Sequence, residues 1–81
     1  MKKGFHVQFN DSSSILIINS KGIIRQLQAP FKVQCSEDTG RYKKGVFLYV
    51  EEVAAGDNDQ LIYFIGDAAY YHRCFRIVAN F

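Results

Sequence analysis

Apolar and polar residues alternate with a period of two along most of this chain, the pattern of strands that bury one face. Phe5, Val7 and Phe9 alternate with His6 and Gln8, and the polar cluster Asn10 to Ser14 then breaks the run with residues that satisfy backbone groups locally. Ile15 to Ile18 is a short aliphatic segment. Asn19-Ser20-Lys21-Gly22 places Asn and Gly where a chain reversal needs a positive φ, and Ile23 to Leu27 returns. These residues predict a three-stranded antiparallel meander. Phe31, Val33 and Cys35 alternate with Lys32 and Gln34, the cleanest amphipathic strand in the chain, and Pro30 marks its start because it cannot donate to a ladder.

Ser36 to Gly45 is polar and reads as a long connection. Val46 to Val53 then forms the longest unbroken run of strand formers, and is expected to be the central strand. Val46, Leu48 and Val50 are aliphatic and predicted to face the core. Phe47 and Tyr49 fall on the opposite parity, the wetter face. Ala54 to Gln60 is a turn leading to a strand over Leu61 to Ile65. Gly66-Asp67 fits a two-residue hairpin loop, and Ala68 to Tyr71 pairs back. His72-Arg73 forms a short turn before a closing strand at Phe75 to Val78. A serine N-cap ahead of Ile15 would suit a helix over residues 12 to 28, but five Ile and a mid-segment Asn-Ser-Lys-Gly favour strand and turn.

With 81 residues there is room for one core only, so the chain is read as a single domain. Its charge of +2 is too small to dictate an acidic partner, but it is uneven. Residues 1–29 carry Lys2, Lys3, Lys21 and Arg25 against Asp11 alone, giving +3. Residues 30–81 carry six basic and seven acidic side chains, giving −1. No apolar run follows the N-terminal lysines, and the Ile15 to Ile18 run is far too short to span a bilayer. The expected setting is cytoplasmic, without a membrane partner, and there Cys35 and Cys74 are expected reduced and buried rather than bridged.

Metal chemistry would draw on His6, Cys35, His72 and Cys74, yet none of their spacings is that of a structural zinc site, and core cysteines with rim histidines explain them better. A Cys/His nucleophile pair lacks an orienting carboxylate or a Gly-rich oxyanion turn nearby. Glu51 and Glu52 are neighbours on a strand, so they point to opposite faces and cannot act as a dyad. Asp57-Asn58-Asp59 lacks the remainder of a calcium loop and reads as a solvated turn. No catalytic residue, metal or cofactor is expected, and the chain is read as non-enzymatic.

Residues 30–81 run through an amphipathic strand, a long polar loop, Lys44-Gly45 ahead of a strand with Tyr49-x-Val, a hairpin, and Tyr70-Tyr71-His72-Arg73-Cys74-Phe75, where a short turn precedes a last strand. This order resembles the SH3-like small β-barrels, in particular compact bacterial and phage domains. The resemblance implies an all-β, five-stranded barrel over residues 30–81, with residues 1–29 as a β-meander extension. The residues that would carry PxxP recognition in eukaryotic relatives are missing, so that activity is not implied. The candidate binding surface is aromatic and basic: Tyr42, Tyr49, Tyr63, Tyr70 and Tyr71, rimmed by Arg41, Lys43, Lys44 and Arg73. It suits a protein or peptide partner, with nucleic acid as the alternative. The slightly acidic balance of residues 30–81 favours the former.

Overall fold

The computed structural model describes residues 5–79. Nine strands form three antiparallel sheets: β1 (His6–Asp11), β2 (Ser14–Ile18) and β3 (Ile24–Gln28); β4 (Phe31–Cys35), β5 (Phe47–Val50) and β9 (Phe75–Ile77); β6 (Glu52–Ala55), β7 (Leu61–Ile65) and β8 (Ala68–Tyr71). A 3₁₀ turn, His72–Cys74, joins β8 to β9. The strands β2, β4 and β7 lie at the centres of their sheets. Each buries one parity: Ile15 and Ile17 on β2, Phe31, Val33 and Cys35 on β4, Leu61, Tyr63 and Ile65 on β7. These faces meet in one core, completed by Val50, Val53 and Phe75. Among the described residues no helix is long and apolar enough to cross a membrane.

The predicted meander is present, in the order β1-β2-β3, with Ile15 between Phe9 and Leu27 and Ile17 between Val7 and Arg25. Its first turn is organised by Asp11, whose Oδ1 accepts hydrogen bonds from Ser13 N (2.9 Å) and from the buried Ser14 Oγ (2.8 Å). Those donors hold the Asp11 carboxyl below its ordinary range, the Ser14 hydroxyl first. The same turn ties the meander to the rest of the chain, Ser12 O accepting from Val53 N at 2.9 Å, while Ser13 O accepts from Ala29 N at 2.8 Å and prolongs the β2–β3 ladder. At the second turn Asn19 Oδ1 accepts from Lys21 N (2.9 Å) and Ile23 N (3.0 Å), while Gly22 takes φ +83°. This is the positive-φ reversal that the Asn-Ser-Lys-Gly segment predicts.

The run Val46 to Val53 departs from expectation. It is neither one strand nor central: the chain bends at Glu51, so its halves belong to different sheets, and β5 is an edge with only β4 beside it. Where β5 ends, Glu51 N donates to Phe64 O at 2.9 Å and hands the chain to β7. The division has a packing reason. One straight eight-residue strand would carry half of its apolar side chains away from so small a core, and the bend lets Val50 and Val53 both point in. Val46 falls outside β5 and is exposed. Residues 30–81 therefore supply six strands in two sheets rather than the five of a closed barrel, and no closed barrel is detected.

Candidate functional site

The strand β5 fixes where Phe47 and Tyr49 stand. Before it, Cys35 O accepts from Gly45 N (2.8 Å) while Cys35 N donates to Val46 O (2.9 Å), so two residues oppose one in a bulge, with Gly45 at φ +95°. Antiparallel alternation then turns the backbone groups of Val46, Leu48 and Val50 toward β4 and those of Phe47 and Tyr49 away from it. On that side β7 ends at Ile65, so among the described residues no strand continues past the Glu51–Phe64 contact to cover Tyr49 and Phe47. Their side chains are on the outer face, 52% exposed for Phe47 and 56% for Tyr49, whereas Val50 is fully buried and Leu48 half-buried against the core. The predicted parity of Leu48, Tyr49 and Val50 holds.

Register places Lys32 opposite Tyr49, and Gln34 between Phe47 and Arg76, all on that outer face. Lys32 Nζ sits 4.8 Å from the centroid of the Phe47 ring, a cation–π contact that also covers part of the ring with the lysine stem. Sequence reasoning missed Phe47, Lys32 and Arg76 as members of this surface. The signal was available, because Lys32 and Gln34 alternate with the buried residues of β4, but it required the β4–β5 register.

The remaining aromatic candidates do not join Tyr49. Tyr63 is a correction: expected on the outer surface, it is 1% exposed at the centre of β7. It packs edge-on against Phe31 at 5.4 Å and lies 6.1 Å from the rings of His72 and Phe75. Burial pushes its phenol far above the ordinary value. The error was one of parity. Leu61 and Ile65 share the Tyr63 face and outweigh the preference of a phenol for water. Tyr70, opposite Tyr63, is half-buried and stacks edge-on with Tyr42 (5.9 Å) and Phe75 (5.9 Å). This pair anchors the 36–45 loop on β8, with Gly40 at φ +57° against the Tyr70 ring. Tyr71 is exposed on the other face of β8, with the Arg73 guanidinium 5.6 Å from its ring centroid. Thus the expected surface is split between two sheets, and its members do not converge.

The basic rim is dispersed as well. Arg41, Lys43 and Lys44 are exposed on the 36–45 loop, where Arg41 lies 3.8 Å from Asp67 and Lys44 N donates to Asp38 Oδ1. Arg73 belongs to the 3₁₀ turn instead.

Both cysteines are free, Cys35 buried and Cys74 half-buried, so Cys74 is less enclosed than expected. Burial, followed by the proximity of Cys74 and Asp38, raises the Cys35 thiol above its ordinary value, which is the direction of an unreactive sulfur. Among the described residues no group of three or more His, Cys, Asp or Glu side chains could hold a metal ion. No protein-family model, curated protein or solved structure matches the chain.

Proposed function

We propose that this protein is a non-catalytic interaction module that receives an extended peptide or a strand of a protein partner at the open edge of β5. The observation that carries the reading is that edge itself. The N–H and C=O groups of Phe47 and Tyr49 point away from β4, and the two exposed rings stand on the same residues. Main-chain groups supply affinity in strand addition, and alternate side chains supply selectivity. The edge is short, limited by the Gly45 bulge and the Glu51 bend, which fits one specific partner segment rather than open-ended association.

An SH3-like architecture for residues 30–81 belongs to the same proposal. Its support is the arrangement of β4 between β5 and β9, the bend that carries one strand from the first sheet into the second, and the 3₁₀ turn before β9. Nucleic acid is the rival ligand, since Lys32 and Arg76 flank the two rings.

The test is selection of a displayed random-peptide library on the full chain, with binding of an oligothymidine measured in parallel. Enriched peptides are expected to bind the protein and to lose at least about tenfold affinity against F47A/Y49A, a change of roughly 1.4 kcal/mol or more. Methylation of alternate peptide amides should abolish binding, because it removes the donors an added strand needs. The proposal fails if no peptide is enriched, or if enriched peptides ignore both changes. It also fails if oligothymidine is the tighter ligand and weakens roughly 10- to 100-fold between about 50 and 200 mM salt, the response of about four phosphate contacts.

A further inference from the structure

A cleft of about 1130 Å³ opens between the meander and the β9 side of the molecule. Its walls are the start of β1, the Asn19 to Ile23 turn, the Asp57 to Gln60 turn, the 3₁₀ turn and β9. Three cations line it, Lys21, Arg73 and Arg76, with the imidazoles of His6 and His72, and Asp59 is the one carboxylate among the lining residues. Lys21, Arg73 and Arg76 have no carboxylate of the described residues at pairing distance. Three uncompensated cations around one concavity make a positive field that favours a multiply charged anion.

The cations stand on positions fixed by other contacts. Lys21 rides on a turn held by two hydrogen bonds to Asn19 Oδ1, and Arg73 is steadied by the Tyr71 ring. His72 Nδ1 accepts the Leu61 N–H at 2.8 Å, which requires that nitrogen to be unprotonated and leaves Nε2 to carry the proton of the neutral ring. Phe5, Ile23 and Ile77 supply apolar wall. The volume slightly exceeds the range of small-molecule sites, about 300 to 1,000 Å³, so a ligand of nucleotide size fits with room for water. We infer that this cleft binds a free nucleotide: phosphates against Lys21, Arg73 and Arg76, and the organic body against the apolar wall. The inference does not rest on the strand-addition reading: Lys21 and Arg73 belong to the second meander turn and the 3₁₀ turn, and Arg76 alone borders both surfaces.

Calorimetric titration of the full chain with ATP, tripolyphosphate and a short oligothymidine tests it. ATP is expected to bind saturably, and the K21Q/R73Q variant to lose at least about tenfold in affinity. K21R should retain binding, and K21Q/R73Q should keep the wild-type melting temperature, as exposed substitutions usually do. Tripolyphosphate should bind at least about tenfold more weakly than ATP. The inference is overturned if ATP fails to saturate, if K21Q/R73Q binds it as well as wild type does, if tripolyphosphate matches ATP, or if oligothymidine is the tighter ligand.

Discussion

Replacing Tyr63 by Ala tests the assignment of inside and outside that every surface argument depends on. Tyr63 is 1% exposed and touches Phe31, His72 and Phe75, so truncation removes a ring from between the β5-β4-β9 and β6-β7-β8 sheets. Aromatic-to-Ala changes in cores cost about 3 to 5 kcal/mol, lost transfer energy and cavity together. The edge-on Phe31 contact adds about 0.5 to 1.5 kcal/mol that a double-mutant cycle with Phe31 would isolate. Tyr49 is over half in water, and its truncation should cost about 1 kcal/mol or less. A domain of this length has about 4 to 12 kcal/mol of stability, so Y63A stands near the limit of folding while Y49A is mild. Urea titration followed by far-ultraviolet circular dichroism reads both. With a slope of about 1 kcal/mol per molar, the Y63A midpoint should fall by about 3 M or more. Equal midpoints for the two variants, or a lower one for Y49A, would refute the assignment of faces.

Two further outcomes follow from backbone and titration. Gly40→Ala forces a side chain into the left-handed region at φ +57° and sets its Cβ 3.0 Å from Tyr70 Cε1, whereas Gly22→Ala at φ +83° meets nothing within 4 Å. Both should lose about 1 kcal/mol for backbone strain, with a further loss in G40A from displacing the Tyr42–Tyr70 pair, read as the difference between their urea midpoints. Burial, then the charge of Arg73, holds His72 below its ordinary value, so the unfolded chain takes up its proton first as pH falls. The stability tied to neutral His72 is therefore complete above about pH 6.5 and declines below it, toward the folded-state value. A urea midpoint that drops between pH 7.5 and pH 5, less steeply in H72Q, is the expected result, and identical pH dependence in the two proteins would sink it.

The strands that alternate strictly were legible from the sequence. The segment Phe31 to Cys35 is β4 with the predicted face buried, the meander is ordered as read, and Gly66-Asp67 closes a hairpin between Ile65 and Ala68 with Gly66 at φ +65°. What failed is what alternation cannot encode. Val46 to Val50 is apolar on both parities and Glu51-Glu52 puts one charge on each, so periodicity gave no sign that Glu51 would turn the chain from one sheet into another. Leu61 to Ile65 is apolar on both parities too, and the phenol of Tyr63 was weighed as a surface group although β7, flanked on both sides, has a wholly sealed face. Of the nine candidate surface residues, Tyr63 is buried and Tyr42 and Tyr70 are half-buried, while Tyr49, Tyr71 and the four basic side chains are exposed but dispersed; Tyr49 was legible because a single strand decided it. The others needed long-range packing, such as the 36–45 loop folding onto Tyr70.

The cleft has its own origin in the way the meander is attached. A backbone tie to the rest of the molecule, Ser12 O with Val53 N, lies at the first turn, around Asp11 to Ser14. The second turn, which carries Lys21, is at the opposite end of β2 and β3 and stands across the cleft from the 3₁₀ turn and β9. The cleft thus opens at the end of the meander away from that tie. The open edge of β5 arises separately, from the bend at Glu51. Changes at Lys21 and Arg73 should therefore leave peptide capture by β5 intact, and changes at Phe47 and Tyr49 should leave ATP binding intact. Cross-effects between the two pairs would overturn this independence and mean that the two surfaces communicate through Arg76, which lines the cleft and lies across Gln34 from Phe47.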